Sequence, residues 1–475
     1  MPPTLQEIKT RTTEIERIFQ LQQENQFNIA RSTPGERIKK LNRLLEATLR
    51  YRPQIKAAMY ADFKKPPLEV DAVEVYPTTS AIKHTRSNLR RWMKPQRVPT
   101  PLAFTGSTSW IQYEPKGVCL IISPWNFPFN LTFVPLVAAI AAGDCAILKP
   151  SEHTPHSSAL LKKIVAGLFE ENEVAVVEGA VAESQALLKL PFHHIFFTGA
   201  PAIGKLVMKA GAGHLASVTL ELGGKSPSII DETADIRSAA ARIAHAKWVN
   251  CGQICTTCDY LLVHESKKEA LLGELQHCIR KFYGGQPDAS PSYPRLVSAH
   301  HYERVKSYLA DAVAAGAKVV AGGTFNDAEK YIAPTLLTNV PDETQIMHEE
   351  IFGPLLPVRS YNNLQEAIDI INAGERPLTM NIFSKNKKNI HRILADTRAG
   401  GTTINNATMH FYNHDLPFGG INNSGIGKSH GWFGFQDFSH ARAVYRQNFP
   451  GALDLLRPPY VAWKEKLMNL TIKWL

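Results

Sequence analysis

The sequence predicts an α/β protein built on two parallel-sheet domains, and three observations carry that reading. From about Ser107 onward, short apolar runs alternate with segments of helical length. Strands separated by helices are joined by crossovers, and crossovers make parallel pairs. The runs are apolar on consecutive residues, as in strands covered on both faces. After Gly223-Gly224 the alternation starts again, so the 475 residues hold a second such unit. Composition agrees: 44% hydrophobic and 20% charged residues are ordinary globular usage, which excludes a wholly disordered, collagenous or coiled-coil chain.

Residues 1–95 read as helical, being charged, periodic and poor in glycine. Ile38, Leu41, Leu44, Leu45 and Leu49 recur at intervals of three and four, one face of a helix. The first buried strand is expected at 118–122, then a short helix at 135–142 and a strand at 145–148. A helix at 156–169, a strand at 174–177, a helix at 182–190 and a strand at 194–197 follow, and a helix at 202–210 and a strand at 217–222 complete the series. The second series is expected to begin with a strand at 227–230, a helix around 239–249, a strand at 260–263 and a helix at 267–283, and to continue to about Gly401. The segment from Pro417 onward is rich in glycine and aromatics, and no internal repeat or low-complexity linker is present.

The 53 Lys+Arg against 43 Asp+Glu leave a net charge of +10, spread along the chain. That favours anionic small ligands without indicating a polyanionic partner, and no nucleic-acid-binding motif occurs. Six cysteines are too few for a disulfide scaffold and suit a reducing compartment. The N-terminus has no apolar core of a secretory signal. The most apolar stretch, 127–142, is 16 residues long and contains Pro128 and Pro135, too short and broken to span a bilayer. A soluble, cytoplasmic protein is expected.

Five motifs could carry chemistry. Gly199-Ala-Pro-Ala-Ile-Gly204-Lys205 follows a predicted strand and opens a helix. It looks like the start of a P-loop, but Leu206 stands where Ser or Thr would hold Mg²⁺. What remains is a glycine turn that lets backbone approach a phosphate at a helix N-terminus, or an ordinary strand-to-helix turn. Lys149-Pro-Ser-Glu152 lies at a strand's C-terminal end, where open α/β sheets bind ligands. A carboxylate there can accept from the ribose hydroxyls of adenosine and would repel a 2′-phosphate; a solvent-facing Lys–Glu pair is the plainer alternative. Cys251, Cys255 and Cys258 are spaced C-x₃-C-x₂-C, which admits a metal or iron–sulfur site or a single nucleophilic cysteine. Glu221, at a strand end before Gly223-Gly224, is either a structural ion-pair partner or a general base. Asn126 in Pro124-Trp125-Asn126-Phe127-Pro128 is either a turn residue or an amide donor to a developing oxyanion.

Taken in order, P-W-N-F-P, L-K-P-S-E, F-F-T-G-x-x-x-x-G, L-E-L-G-G-K-S-P, G-Q-I-C, E-E-I-F-G-P (349–354) and L-P-F-G-G (416–420) resemble the NAD(P)-dependent aldehyde dehydrogenase superfamily over nearly the whole chain. The short N-terminus and the H-G-x-x-x-F-x-x-F-S-H stretch (430–440) look most like the class 3 branch, which handles fatty, aromatic, coniferyl and carotenoid aldehydes. The resemblance implies two doubly wound domains: a Rossmann-like cofactor domain (1–222, with a helical N-terminal part) and a catalytic domain (223–415). A return segment with a bridging, oligomerising tail (416–475) completes the implied architecture. It implies Cys255 as nucleophile, Asn126 as oxyanion donor and Glu221 as general base. Lys149 and Glu152 would sit at the adenosine ribose, with Gly199 and Gly204 framing the pyrophosphate turn. Glu350 and Phe352 would position the nicotinamide ribose and ring, and Trp125 would join the cofactor site. His410, Phe411 and Tyr412 would stand near the substrate entrance and suggest an apolar or aromatic aldehyde. The implied cofactor is NAD, with NADP admitted, and the implied assembly is a homodimer.

The chain departs from the family pattern at three positions. Ala200 replaces a serine, Cys258 a proline and Asn422 a glycine. If the Thr256-Thr257 turn brings two sulfurs together, Cys258 could form a disulfide with Cys255, whose pKa would be lowered as a nucleophile's is; otherwise it is a small buried hydrophobe. Two other readings stay open, a catalytically silent relative and a cysteine-ligated metal enzyme. Near the C-terminus, Tyr460, Trp463, Leu467, Leu470 and Trp474 form a helical stripe among Lys464, Lys466 and Lys473. It would pack on the protein or its dimer partner, or lie on a membrane surface.

Overall fold

The computed structural model describes residues 5–474. Three helices open the chain, Leu5–Ala30, Pro34–Arg50 and Arg52–Phe63. The second starts at a capping box: Thr33 accepts from the Glu36 amide, and Glu36 reaches back to the Thr33 amide at 2.7 Å. Its buried stripe is narrower than the periodicity suggests. Leu41, Leu44 and Leu45 are buried, but Leu49 is 50% exposed. A short helix, Pro67–Val70, runs through one π-helical turn at Asp71–Val75 into the helix Tyr76–Trp92.

The first parallel sheet has the strand order Ser217–Leu222, His194–Gly199, Val118–Ile122, Cys145–Lys149, Val174–Val176. A sixth, antiparallel strand, Gly425–Ile426, comes from the return segment and closes the edge beside Ser217–Leu222. The central strands are buried on both faces, as their continuous apolar runs require. The helix expected from Pro135 begins earlier, at Asn130. Its N-terminus is satisfied by the Glu74 carboxylate, which accepts from the Asn130 amide at 2.6 Å, a long-range cap that local sequence cannot announce. The strands end along one edge, and there the chain turns into Trp125-Asn126, Pro150, Ala200 and Gly223.

The second sheet has seven strands in the order Lys318–Ala321, Thr335–Thr338, Leu355–Tyr361, Tyr260–His264, Pro227–Ile230, Thr379–Phe383, Gly401–Ile404. All neighbours are parallel except the outermost pair. Its core gathers on Trp248, whose indole N–H donates to the Pro354 carbonyl at 3.0 Å.

A third sheet is antiparallel: Gln96–Val98, Ser107–Pro115 and Ser439–Gln447. The last two pair along nine residues, so the return segment is tied to both the first sheet and this one. The tail ends in a helix, Ala462–Trp474, that buries none of its residues. Among the described residues no helix is long and apolar enough to cross a membrane.

Candidate active site

A cavity of about 1190 Å³ opens where the two parallel sheets meet. Cys255, Asn126 and Glu221 line it, reached by three different segments. Gly199, Trp125, Glu350 and Phe352 line it as well.

Cys255 sits in the turn between the helix Ile236–Trp248 and the strand Tyr260–His264. The approach to it is strained. Asn250 and Cys251 hold φ of 54° and 55°, left-handed values that side chains other than glycine seldom take. Gly252 follows at φ 73°, and a Cβ there would lie 2.2 Å from the Gly353 carbonyl oxygen, so only glycine fits. Hydrogen bonds hold this conformation. The Asn250 amide N–H donates to Glu69 Oε1 at 2.9 Å, and its side chain donates to the carbonyls of Asn126 at 3.2 Å and Gln253 at 3.0 Å. Gln253 in turn donates to the Asn250 and Arg295 carbonyls.

Asn126 is buried. One side-chain N–H donates to the Gln253 carbonyl at 3.0 Å, which aims the amide at the nucleophile turn. Its own carbonyl accepts from Lys65 Nζ at 3.1 Å. Lys65 is fully buried, 3.8 Å from Glu74 Oε1 and over the Phe127 ring at 4.1 Å. Lys65, Glu69 and Glu74 thus brace the oxyanion and nucleophile segments from behind. The sequence offered no signal for them, because charged residues in a polar helical stretch look like solvated ones. Asn250 and Gln253, by contrast, flank the cysteine motif and were within reach of a closer reading.

Glu221 is buried at its strand's end, and burial raises its carboxyl to about 7. The Ser429 hydroxyl donates to its Oε1. Glu350 is raised further, to about 8, by burial and by the nearby Asp259. A Cβ on Gly223 would lie 1.9 Å from Glu350 Oε2, so the glycine turn lets that carboxyl lie against backbone. The expected lowering of the Cys255 pKa is reversed in the structure. Burial, then the Glu350 and Glu221 carboxylates, push the thiol well above its ordinary value.

The three cysteines do not converge. The Cys251 thiol donates to the Tyr293 hydroxyl at 3.4 Å. The Cys258 sulfur is fully buried and accepts from Asn381 Nδ2 at 3.6 Å. Cys255 alone faces the cavity, and all six cysteines are free. Cys255 and Cys258 are both free thiols, the first at the cavity and the second against Asn381.

A dinucleotide fits the other end of the cavity. The helix Pro201–Ala212 opens there, with Ala200, Pro201, Ala202 and Lys205 in the wall. Small side chains, amide groups at a helix start and one ammonium suit a pyrophosphate. Thr198 Oγ1 is buried beside them without a hydrogen-bond partner. The Trp125 ring meets Phe352 edge-on at 5.4 Å, forming an aromatic step between this end and Cys255. Gly204 lies one turn into the helix and outside the cavity wall. A Cβ there would meet Leu222 at 2.7 Å, so it serves helix-to-strand packing. Lys149 and Glu152 lie at the end of Cys145–Lys149, two strands over from His194–Gly199 in the sheet and also outside that wall, with Lys149 Nζ 3.5 Å from Glu152 Oε2. His410, Phe411 and Tyr412 are not in the wall either. His410 bonds Thr403 at 2.9 Å, Phe411 meets Phe418 and His430, and Tyr412 faces Tyr76.

The model of the aldehyde dehydrogenase family matches residues 5–444. The 4,4'-diaponeurosporen-aldehyde dehydrogenase of Staphylococcus aureus is 42% identical over 425 residues, 90% of this chain and 91% of that one. Aldehyde dehydrogenase family 3 member A2 of Mus musculus is 40% identical over 435 residues, covering 91% and 89%. Among solved structures, the substrate-bound state of Staphylococcus aureus AldH superposes with a TM-score of 0.92 at 40% identity, over 96% of this chain and 99% of that one. The NAD⁺ complex of a Bacillus cereus aldehyde dehydrogenase superposes with a TM-score of 0.84 at 26% identity, over 92% and 89%. The seven motifs, the paired α/β sheets and these matches agree: the chain belongs to the aldehyde dehydrogenase family, on its class 3 side, and is an NAD(P)-dependent enzyme that oxidises an aldehyde.

Proposed function

We propose that this enzyme converts an apolar aldehyde, aliphatic or aromatic, to its carboxylic acid, with Cys255 as nucleophile, Asn126 as oxyanion donor and Glu221 as base. The convergence of these three side chains on one cavity carries the reading. Cys255 Sγ attacks the carbonyl carbon once its proton has passed to the Glu221 carboxylate, which returns it to solvent before hydrolysis. The oxyanion takes hydrogen bonds from the second Asn126 N–H and from the Cys255 amide. A nicotinamide held by Glu350, Phe352 and Trp125 would supply a hydride acceptor, and loss of hydride from the adduct on Cys255 leaves a thioester there. Glu221 then takes a proton from the water that releases the acid. Lys149 and Glu152, at a strand end beyond the cavity wall, hold the adenosine ribose; Gly199 shapes the pyrophosphate turn, which Gly204 supports by letting its helix pack against Leu222; and Glu350, Phe352 and Trp125 order the nicotinamide end.

The apolar preference rests on Phe127, Leu131 and Ile254, a hydrophobic cluster that adjoins both Asn126 and Cys255. The Staphylococcus aureus relative is named for 4,4'-diaponeurosporen-aldehyde. His410, Phe411 and Tyr412 form part of a further aromatic cluster that a substrate passes. A panel of aliphatic aldehydes of rising chain length and substituted benzaldehydes, followed by NADH absorbance, tests this. kcat/KM rising with apolar surface is expected; highest kcat/KM for short polar aldehydes would overturn it. Glu152 is expected to make kcat/KM higher with NAD than with NADP.

The assembly is a homodimer in this reading. Ser439–Gln447 is an edge strand paired on one side only, with seven of its nine residues exposed, and such an edge invites a second copy. The C-terminal helix touches an anionic membrane surface. Trp463, Leu470 and Trp474 are 53%, 57% and 73% exposed beside three lysines, and 13 residues are too few to span. Sedimentation with anionic vesicles should require residues 459–475; equal pelleting without them would remove the membrane role. Light scattering reads the dimer.

A further inference from the structure

The return segment closes over the far side of Glu221. Its strand Gly425–Ile426 pairs with Ser217–Leu222 so that Gly425 stands opposite Glu221. A few residues on, the chain is pinned from two sides. Phe418 and Ser429 exchange two backbone hydrogen bonds, of 3.2 and 2.7 Å. Lys428 Nζ donates to the carbonyls of Gly419 at 2.7 Å and Gly420 at 3.0 Å. With its backbone fixed, the buried Ser429 side chain donates its hydroxyl proton to Glu221 Oε1.

We propose that Ser429 is a positioning residue for Glu221: its hydroxyl holds the carboxylate in place for the attacking water and favours the charged, proton-accepting form. The proposal rests on Glu221 being the base. A hydrogen bond to the charged form of an acid favours that form. The groups facing Glu221 set the balance. Lys428, on the same segment, also favours the carboxylate. Asp437, on the helix Gly431–Asp437, opposes it, as does burial. Thr198, on the neighbouring strand, favours the carboxylate only weakly and without a full hydrogen bond, and burial keeps the Cys255 thiol across the cavity protonated. Ser429 supplies the side-chain hydrogen bond that offsets burial, so a base left to burial alone would be protonated at neutral pH.

The test is kcat against pH from 5.5 to 9.5 for the holoenzyme, with Ser429→Ala and the isosteric, weaker donor Ser429→Cys. In Ser429→Ala the acid-side limb should move up by about one pH unit, with turnover falling about fivefold at pH 7 and recovering by pH 9.5. Ser429→Cys should move it the same way by less, and Ser429→Thr, which keeps the hydroxyl, should hold the wild-type limb. A packing role alone would lower activity equally at every pH. An unmoved limb in Ser429→Ala and Ser429→Cys, or a pH-independent loss, overturns the proposal. Glu221→Gln separates the two levels. A stoichiometric NADH burst with little steady-state turnover upholds the base, so that an unmoved limb then condemns Ser429 alone. Wild-type turnover in Glu221→Gln overturns both assignments.

Discussion

The residue that most repays attention is Cys255, because its surroundings oppose the charge its chemistry needs. Burial and two carboxyls keep the thiol protonated, and those carboxyls are themselves raised to about 7 and 8. A buried site crowded with acids shares few charges among them. Turnover should therefore climb as pH rises through 7, where Glu221 ionises, and fall below it; a flat profile from pH 6 to 9 would contradict that assignment. Cys255→Ala should abolish oxidation by at least about 10³-fold while NAD still quenches tryptophan fluorescence, since the thiolate alone forms the covalent bond. Cys251→Ala should keep most activity, because Cys251 bonds Tyr293 away from the cavity. Equal loss in both variants would revive a shared cysteine site. At this scale the sequence was most legible where spacing and chemistry coincide. Cys255, Glu221 and Asn126 each sit in a motif that also shapes backbone, so each left a signature. Ser429 left none, since a serine between lysine and histidine is unremarkable until the fold carries it to Glu221.

Among the elements, the seven parallel strands from Val118–Ile122 to Tyr260–His264 were read to within two residues because burial on both faces forces uninterrupted apolar runs, whereas Thr335–Thr338, Leu355–Tyr361, Thr379–Phe383 and Gly401–Ile404 were not placed one by one. The antiparallel strands Ser107–Pro115 and Ser439–Gln447 escaped that reading. They face solvent and mix polar with apolar residues, and their pairing spans more than 300 positions, which no local pattern encodes. The helices before residue 95 were read as helices but not as parts of the site. Lys65 just past the end of one and Glu74 in the π-turn are fully buried behind Asn126, and the half-buried Glu69 joins them behind Asn250. Burial lowers the Lys65 pKa and lifts both carboxyls to about 7, and the mutual attraction of lysine and carboxylates opposes that shift without cancelling it. Removing one partner of a buried pair costs more than removing both. Lys65→Met should lose about 2–4 kcal/mol of stability by urea unfolding, and Lys65→Met/Glu74→Gln should lose less than the single variant. Simple additivity in that cycle would show that the cluster is not coupled. The single variant should also lower kcat more than it raises KM, because it releases the Asn126 carbonyl and with it the oxyanion donor.

For the molecule as a whole, the return segment staples the sheets together, and it does so around neutral histidines. His430 stacks on Phe418 at 5.0 Å, meets Phe411 at 4.8 Å and lies 5.8 Å from His414. Its Nδ1 is buried with no hydrogen-bond partner. Burial, then His414 and His410, push its pKa down to about 3, and burial holds His410 and His414 near 4. In the unfolded chain each would titrate near about 6.5. Below that value the unfolded state binds protons that the folded state refuses, so stability falls as pH drops from 6.5 toward 4. At pH 5, His430 alone accounts for about 2 kcal/mol of that loss. The buried carboxyls at Glu221, Glu350 and Asp144 act in the opposite direction, since their raised pKa values favour folding more as pH falls from about 7 toward 4.5. The net curve of the wild type therefore mixes two opposed sets and does not isolate either. A variant does. His430→Phe keeps a ring against Phe418 and cannot be protonated, although a side chain without an imidazole is strained at the φ of 71° held there. Its absolute stability at pH 7.5 is expected to be lower for that reason. The informative quantity is the difference from wild type, which should shrink by about 2 kcal/mol between pH 7.5 and pH 5 in urea unfolding. A difference that stays constant across that range would mean that His430 is not the group whose protonation opposes the fold.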